Sequence, residues 1–146
     1  MLYNDNKKIT IYIVDDDEED RVLAQESLHK IEKDINIVHV GEGDELINKI
    51  LENGISSPTI VLLDIKMGRK DGTEILTEIR AHKDLNAIPI VMYTSSNSEN
   101  EILKCYQLGA NSYVVKPIGM AEMDKTMKLF TNYWFGAVKL PHKKEK

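Results

Sequence analysis

The sequence predicts an α/β fold: a doubly wound, five-stranded parallel sheet in the order 2-1-3-4-5, with helices on both faces. Three observations support this prediction. Five short apolar runs alternate with segments of helical periodicity. One run, Ile60-Val61-Leu62-Leu63, is apolar throughout, which is typical of a strand buried on both faces of a parallel sheet. Every run except the second ends at a polar or charged residue, and open α/β sheets bind ligands beyond the carboxyl ends of their strands.

Five strand–helix units account for the chain in order. The predicted strands are Ile9–Val14, Ile35–Val40, Ile60–Leu63, Ile88–Tyr93 and Ser112–Val115. Regular alternation of strands with helices implies right-handed crossovers, and it favours the flavodoxin-like strand order given above.

Capping residues mark the ends of the first three helices. Asp17 is a good N-cap for the first helix, which is expected to run to about Ile31. Gly54 is predicted to end the second helix, since glycine readily adopts the conformation that follows a helix. Asp71-Gly72 is predicted to open the third.

The last two helices carry the less regular patterns. Ser98 and Glu101 have the spacing of a capping box for the fourth helix. Three of its side chains are predicted to face inward: Ile102, Leu103 and Tyr106. The fifth helix carries a stripe that we assign to the core: Met120, Met123, Met127, Phe130 and Trp134. An alternative is that Trp134 and Phe135 form an exposed patch for a homodimer.

Length and composition limit the classes of protein. The 146 residues suit one domain, expected over residues 9–136, with a loosely ordered N-terminus over 1–8 and a basic, frayed tail over 137–146. A net charge of −5 argues against non-specific nucleic-acid binding. Cys105 is the only cysteine, so no internal disulfide can form. With no signal peptide and no apolar run of about 20 residues, we expect a cytoplasmic protein that does not enter a membrane.

Polar side chains at the strand ends form the candidate site. Asp15 and Asp16 follow the first strand, Asp64 the third, Thr94 the fourth and Lys116 the fifth. In the predicted strand order these ends are neighbours, so the three carboxylates, the hydroxyl and the ammonium are expected to share one pocket.

Clustered carboxylates predict a divalent cation. Ionised oxygens repel one another, and Mg²⁺ binds to a few carboxylates while keeping several waters. We expect Asp16 and Asp64 to bind Mg²⁺ directly and Asp15 to act through a water, with the backbone carbonyl of Lys66 as a further ligand.

The same pocket is suited to phosphoryl transfer. A carboxylate can attack phosphorus and form an acyl phosphate, which makes Asp64 the candidate phosphoacceptor. Mg²⁺, Lys116 and the hydroxyl of Thr94 would then stabilise the charge on the phosphoryl oxygens.

Five short motifs in register resemble the response-regulator receiver domain, of the chemotaxis-protein (CheY-like) type. The resemblance covers about Ile9 to Trp134. The matching motifs are Val14-Asp15-Asp16, Val61-Leu62-Leu63-Asp64, Asp71-Gly72, Thr94-Ser95 and Tyr113-Val114-Val115-Lys116-Pro117.

The resemblance implies a function and a set of roles. Asp64 would take a phosphoryl group from a phosphohistidine of a sensor histidine kinase or a phosphotransfer protein. Thr94 and Tyr113 would form a switch that changes the surface of the fourth helix, fifth strand and fifth helix. Lys66 and Ser96 match the positions that tune the lifetime of the phosphoryl group. Such a protein is a signalling module rather than an enzyme, assisting only its own phosphorylation and dephosphorylation.

Two features depart from the usual family pattern. Gly68 stands where the family often has proline, so the loop there is expected to be looser. The run from Leu129 to Pro141 resembles the small stand-alone regulators found with phytochrome-type sensor kinases. Because little sequence follows Trp134, we expect the signal to pass in trans to an unidentified downstream protein.

Other interpretations stay open on sequence alone. Asp15 and Asp17 have the Asp-x-Asp spacing of a haloacid-dehalogenase-type phosphatase, in which they would be nucleophile and acid. A degenerate receiver that only binds partners is a further alternative. Tyr113 is weighed evenly between a switch and a half-buried strand residue. The resemblance allows a cis Lys116–Pro117 bond, whereas the local preference is trans. The acidic residues Glu18-Glu19-Asp20 are interpreted as a solvated helix start.

Overall fold

A computed structural model describes residues 8–143 and contains the predicted sheet. Its strands are β1 (Thr10–Val14), β2 (Asn36–Val40), β3 (Thr59–Leu63), β4 (Ile90–Thr94) and β5 (Ser112–Val115). All neighbours are parallel, in the order β2-β1-β3-β4-β5. The predicted strand order is confirmed.

The helices follow the strands as expected. They are α1 (Glu18–Ile31), α2 (Leu46–Asn53), α3 (Gly72–Ala81), α4 (Glu99–Gln107) and α5 (Met120–Thr131). A short 3₁₀ turn, Gly43–Glu45, leads into α2, and a π-helical segment, Asn132–Ala137, continues α5. No helix within residues 8–143 is both long enough and apolar enough to cross a bilayer.

Aspartates begin two of the helices that follow the site strands. One carboxylate oxygen of Asp17 accepts hydrogen bonds from the backbone N–H groups of Glu19 (2.9 Å) and Asp20 (3.3 Å). Asp71 caps α3 in the same way, accepting from the N–H of Thr73 at 2.9 Å and that of Glu74. Both caps satisfy donors that the first helical turn leaves free, as predicted.

Each face of the sheet has its own apolar core. One face packs against α1 and α5 and includes Ile11, Ile13 and Leu62 from the strands. The other packs against α2, α3 and α4 and includes Val14 and Leu63. Because β1 and β3 lie centrally, all their residues are buried, which explains their continuous apolar sequences.

The orientation predicted for α4 is wrong. Leu103 and Tyr106 were expected to face inward, but they are 58% and 47% exposed. Cys105 is fully buried instead, and Leu108 packs beside it against the core. The face of α4 that packs against the core is therefore the one with Cys105, and not the one with the larger apolar residues Leu103 and Tyr106. Ile102 is only partly buried.

The C-terminal segment packs against the domain rather than fraying through Lys143. Phe135 is 2% exposed and meets Phe130 edge-to-face at 6.2 Å, so the alternative of an exposed patch containing Phe135 is wrong. Leu140 is buried, and the N–H of Lys143 donates to the carbonyl of Ile55 at 2.9 Å. The remaining tail residues 144–146, and residues 1–7 of the predicted loose N-terminus, lie outside the described range.

Replacing Phe135 by alanine is expected to destabilise the fold by about 3 kcal/mol, since truncating a buried aromatic side chain leaves a cavity. Urea unfolding followed by circular dichroism measures this loss. Tyr133→Ala is the control, because Tyr133 is more than half exposed in the same segment. Equal losses in the two variants would contradict the packing described for Phe135.

Candidate phosphoacceptor and metal site

Backbone hydrogen bonds place the site residues one step beyond the strand ends. The N–H of Asp15 donates to the carbonyl of Val40, and that of Asp64 to the carbonyl of Val14, each at 3.0 Å. The N–H of Lys116 donates to the carbonyl of Thr94 at 2.7 Å. The parallel hydrogen-bond pattern of the sheet thus extends into the site and fixes the backbone positions of Asp15, Asp64 and Lys116.

Three carboxylates converge at this edge. Asp15, Asp16 and Asp64 each offer an oxygen, and these oxygens lie within 4.8 Å of one another. Asp15 and Asp64 are buried at 3% and 8% exposure, whereas Asp16 is exposed. Hard oxygen donors in this number fit a divalent cation of the Mg²⁺ type, and the exposed Asp16 leaves one side open to its waters.

Amide donors hold the two buried carboxylates in place. Oδ1 of Asp15 accepts from the N–H of Asp17 at 2.9 Å, and Oδ1 of Asp64 accepts from the N–H of Ile65 at 2.7 Å. Their Oδ2 atoms both face the ammonium of Lys116, at 2.6 and 3.1 Å. Burial raises the pKa of Asp15, and the hydrogen bonds from Lys116 and Asp17 oppose that rise.

Lys116 has a third carboxylate partner that the sequence analysis missed. Its Nζ lies 2.9 Å from Oδ2 of Asp20, which we had assigned to a solvated helix start. Burial alone would lower the pKa of Lys116, but the hydrogen bonds to Asp15 and Asp20 and the charge of Asp64 outweigh it and raise that pKa. No local sequence pattern indicates this contact, because Lys116 lies 96 positions further along the chain.

The loop after β4 contains the predicted switch residues. Thr94 is buried, and its hydroxyl oxygen accepts from the N–H of Ser96 at 3.5 Å. The hydroxyl of Tyr113 donates to the carbonyl of Ser96 at 2.9 Å. Thr94 and Tyr113 therefore both hydrogen-bond to Ser96, and these two bonds do not join Thr94 to Tyr113 directly.

The predicted capping box of α4 forms only in part. The hydroxyl of Ser98 accepts from the N–H of Glu101 at 3.4 Å, as expected. The carboxylate of Glu101, however, accepts a hydrogen bond from the hydroxyl of Ser96. Because the same Ser96 oxygen also accepts from the N–H of Ser98 at 3.3 Å, Ser96 joins the loop to the first turn of α4.

The loop after β3 brings backbone close to Asp64. Lys66, two residues further on, is exposed, and Gly68 has a φ of 29°, which favours glycine. Gly72 lies against the strand end: a Cβ there would be 2.1 Å from the carbonyl oxygen of Asp64. Gly72 is thus required by close approach, which gives the Asp71-Gly72 motif a physical reason.

A cavity of about 310 Å³ opens beside the exposed side of the carboxylate cluster. Asp16 lines it, with Asp44 opposite and Arg69 and Lys70 from the loop after β3. Asp44 pairs with both cations, at 3.7 Å for Arg69 and 3.5 Å for Lys70. The cavity provides space for water molecules and for a phosphoryl-bearing group next to Asp16.

Residues 11–128 match the model of the response regulator receiver domain family. The chain belongs to this family. The receiver is 29% identical over 145 residues to the response regulator Rcp1 of Synechocystis sp., covering 97% of this chain and 99% of that protein.

Solved structures agree in fold and in length. The phosphorylated cyanobacterial phytochrome response regulator RcpA has a TM-score of 0.83 and 29% identity, and the comparison covers 92% of the receiver and 99% of that chain. The Mn²⁺-bound form of Rcp1 has a TM-score of 0.78 and 30% identity, covering 90% and 98%. The resemblance to phytochrome-associated regulators thus holds along nearly the whole receiver.

The family assignment bears on the metal ion and on the phosphatase alternative, and the backbone decides the Lys116–Pro117 bond. Receivers bind a divalent metal ion, and the cluster of Asp15, Asp16 and Asp64 agrees with this. The phosphatase alternative is not supported, because the carboxylate of Asp17 caps α1 and the chain is a receiver. The Lys116–Pro117 peptide bond, which the sequence left open, is trans.

Replacing Asp16 by asparagine should weaken Mg²⁺ binding by at least about tenfold, since losing even an outer partner of a metal typically costs 10–100-fold in affinity. Thermal unfolding at increasing Mg²⁺ concentration measures the change, because a ligand of the folded state raises the melting temperature. Asp34→Asn, an exposed carboxylate on another part of the surface, is the matched control. An unchanged Mg²⁺ response in Asp16→Asn would contradict the assignment of the cation to this cluster.

Proposed function

We propose that this receiver accepts a phosphoryl group on Asp64 while Mg²⁺ is held by Asp15, Asp16, Asp64 and the backbone carbonyl of Lys66. The observation that carries the proposal is the position of Asp64: its carboxylate is shared between the convergent acidic cluster and the ammonium of Lys116, 3.1 Å away. The donor is a phosphohistidine of a sensor histidine kinase or a phosphotransfer protein.

The reaction is a transfer between two side chains. An oxygen of Asp64 bonds to phosphorus, the phosphorus–nitrogen bond of the phosphohistidine breaks, and the electron pair of that bond returns to the imidazole. When bound by these residues, Mg²⁺ would supply positive charge near the phosphoryl oxygens. Lys116 would supply a second positive charge, and the Thr94 hydroxyl would supply a hydrogen-bond donor.

The switch in this proposal depends on the loop between β4 and α4. When the Thr94 hydroxyl turns toward the phosphoryl group, it leaves the N–H of Ser96, the contact described above. Ser96 also accepts the Tyr113 hydroxyl through its carbonyl, so a shift of Ser96 moves Tyr113. The change reaches the surface of α4, β5 and α5 through Tyr113 on β5.

That surface has the composition of a protein-binding face. It presents exposed apolar side chains from α4, from β5, from the loop after β5 and from the start of α5; they are Leu103, Tyr106, Val115, Ile118 and Met120. The assignment of Met120 to the core is therefore wrong, since this residue is 39% exposed. Exposed apolar side chains grouped on one side favour burial against a partner. We propose that a downstream protein, or a second copy of the chain, binds here.

The remaining roles extend the same proposal. Lys66 and Ser96 tune how fast water removes the phosphoryl group, and Ser96 does so with its hydroxyl already engaged by Glu101. Similarity to Rcp1 and to the phytochrome response regulator RcpA supports a phytochrome-type sensor kinase as the donor. The protein acts in the cytoplasm as a signalling module that assists only its own phosphorylation and dephosphorylation, without a nucleic-acid or membrane partner.

Asp64→Asn should incorporate no phosphoryl group from acetyl phosphate with Mg²⁺, because an amide cannot form the acyl phosphate. Phosphate-affinity gel electrophoresis and intact-mass measurement detect the added group. Asp34→Asn provides the control and should be labelled like the unmodified protein. Undiminished labelling of Asp64→Asn would move the acceptor to another residue and refute the proposal.

Thr94→Val should separate phosphorylation from switching, since valine keeps the size and branching of threonine but lacks the hydroxyl. The variant should still bind beryllofluoride with Mg²⁺, while the chemical shifts of Tyr113 and α4 change by less than half as much as in the unmodified protein. Thr59→Val, a buried threonine at the opposite end of β3, is the control. A full response in Thr94→Val would remove Thr94 from the switch.

A further inference from the structure

Asp20 differs from the other carboxylates around Lys116. It lies in the first turn of α1, and its side chain is 38% exposed. The convergent cluster consists of Asp15, Asp16 and Asp64, and Asp20 is not a member. Asp20 therefore contacts the ammonium without contributing an oxygen to the cation position.

The ammonium of Lys116 has three N–H donors and three carboxylate partners, at 2.6, 2.9 and 3.1 Å. Two of those partners, Asp15 and Asp64, also belong to the cation cluster. Once a divalent cation binds, the charge on these two carboxylates is shared with it, and their attraction for Lys116 falls. Repulsion between the ammonium and the cation then acts in the same direction.

Phosphorylation changes the surroundings of Lys116 once more. Asp64 becomes part of the acyl phosphate, so the ammonium must turn one donor toward the new phosphoryl oxygens. Of the three carboxylates that contact Lys116 within residues 8–143, Asp20 is the one that would keep its full charge toward the ammonium throughout these steps. Without it, the long lysine side chain would be held mainly by partners that the cation competes for.

We propose that Asp20 is a positioning residue that holds the ammonium of Lys116 over the site when the cation and the phosphoryl group are bound. This inference rests on the proposed function of Asp64, and it goes beyond the family motif, in which the resemblance assigns Asp20 no role. Asp20 acts through Lys116 and touches neither the cation nor the phosphoryl group.

The surroundings of Lys116 support this assignment. A cavity of about 210 Å³ lies beside it, lined by Asp20 and Leu23 of α1, Tyr93 of β4, and Met120 of α5. The Tyr93 ring centre is 6.0 Å from Nζ, which gives at most a weak cation–π contact. Besides Lys116 itself, Asp20 is the one charged residue among residues 8–143 that lines this cavity, so its carboxylate is the partner available to the ammonium on this side of the site.

A general effect of negative charge at the start of α1 makes a different prediction. Acidic side chains in the first helical turn favour the helix dipole, and Glu19 is such a residue, exposed in the same turn. Glu19→Gln removes the same charge as Asp20→Asn without altering the contact to Lys116. The pair of variants therefore separates positioning of Lys116 from the helix-dipole effect.

The first measurement follows phosphorylation by acetyl phosphate at saturating Mg²⁺. We expect Asp20→Asn to be phosphorylated about tenfold more slowly, a difference of about 1.4 kcal/mol in the barrier, with Glu19→Gln unchanged. Asp20→Glu should recover most of the rate because it restores the carboxylate. In a Lys116→Ala background, Asp20→Asn should cause no further loss, since the two residues act as one unit. The proposal would be overturned if Asp20→Asn slowed phosphorylation as much in the Lys116→Ala background as in the unmodified protein. Equal phosphorylation rates in Asp20→Asn and Glu19→Gln would overturn it as well.

The second measurement needs neither phosphorylation nor a variant. In ¹⁵N-edited spectra of the unmodified protein, the Nζ signal of Lys116 should stay visible on saturation with Mg²⁺ and keep its cross-peak to the Asp20 side chain. Loss of that cross-peak on adding Mg²⁺ would overturn the positioning role. If acetyl phosphate labels no residue at all, the proposed acceptor fails while this spectrum still decides the role of Asp20.

Discussion

The parallel hydrogen-bond ladder is the constraint on which the rest of this receiver depends. It continues one residue past β1, β3 and β5, through the N–H groups of Asp15, Asp64 and Lys116. Side chains 101 positions apart in the sequence, Asp15 and Lys116, thereby meet at 2.6 Å. Successive residues of a strand point to opposite faces of the sheet. A one-residue slip of β3 would therefore point the Asp64 side chain into an apolar core and remove its carboxylate from the site.

The charges at this edge are balanced only in part. Two of the carboxylates are buried, which is costly unless cations or hydrogen bonds compensate. Amide donors satisfy one oxygen of each, and Lys116 satisfies the other, but a single ammonium serves three carboxylates. Excess negative charge around an open position is what gives such a site its affinity for a divalent cation and, with the cation, for a phosphoryl group.

Sequence reasoning was reliable where a local pattern has a single structural meaning. A buried strand ending in a carboxylate fixed the places of Asp15 and Asp64, and capping chemistry placed Asp17 and Asp71. It failed where side chains from different elements meet. Asp20 has the local sequence of a solvated helix start, and its contact joins the first turn of α1 to Lys116 at the end of β5, 96 positions further along the chain. The rotation of α4 depends on how a short helix docks, which no residue of α4 specifies alone. Burial of Phe135 and Leu140 likewise depends on distant partners.

The docking of the C-terminal segment has a consequence for how the receiver can be connected to other molecules. Lys143 hydrogen-bonds to Ile55 and pairs with Asp84, so this residue lies at the edge of the sheet where β3 and β4 begin. The carboxylate cluster lies at the other edge of the sheet, where these strands end. A dye or a surface tether attached to the exposed side chain at position 143 therefore lies on the far side and leaves access to Asp64 open.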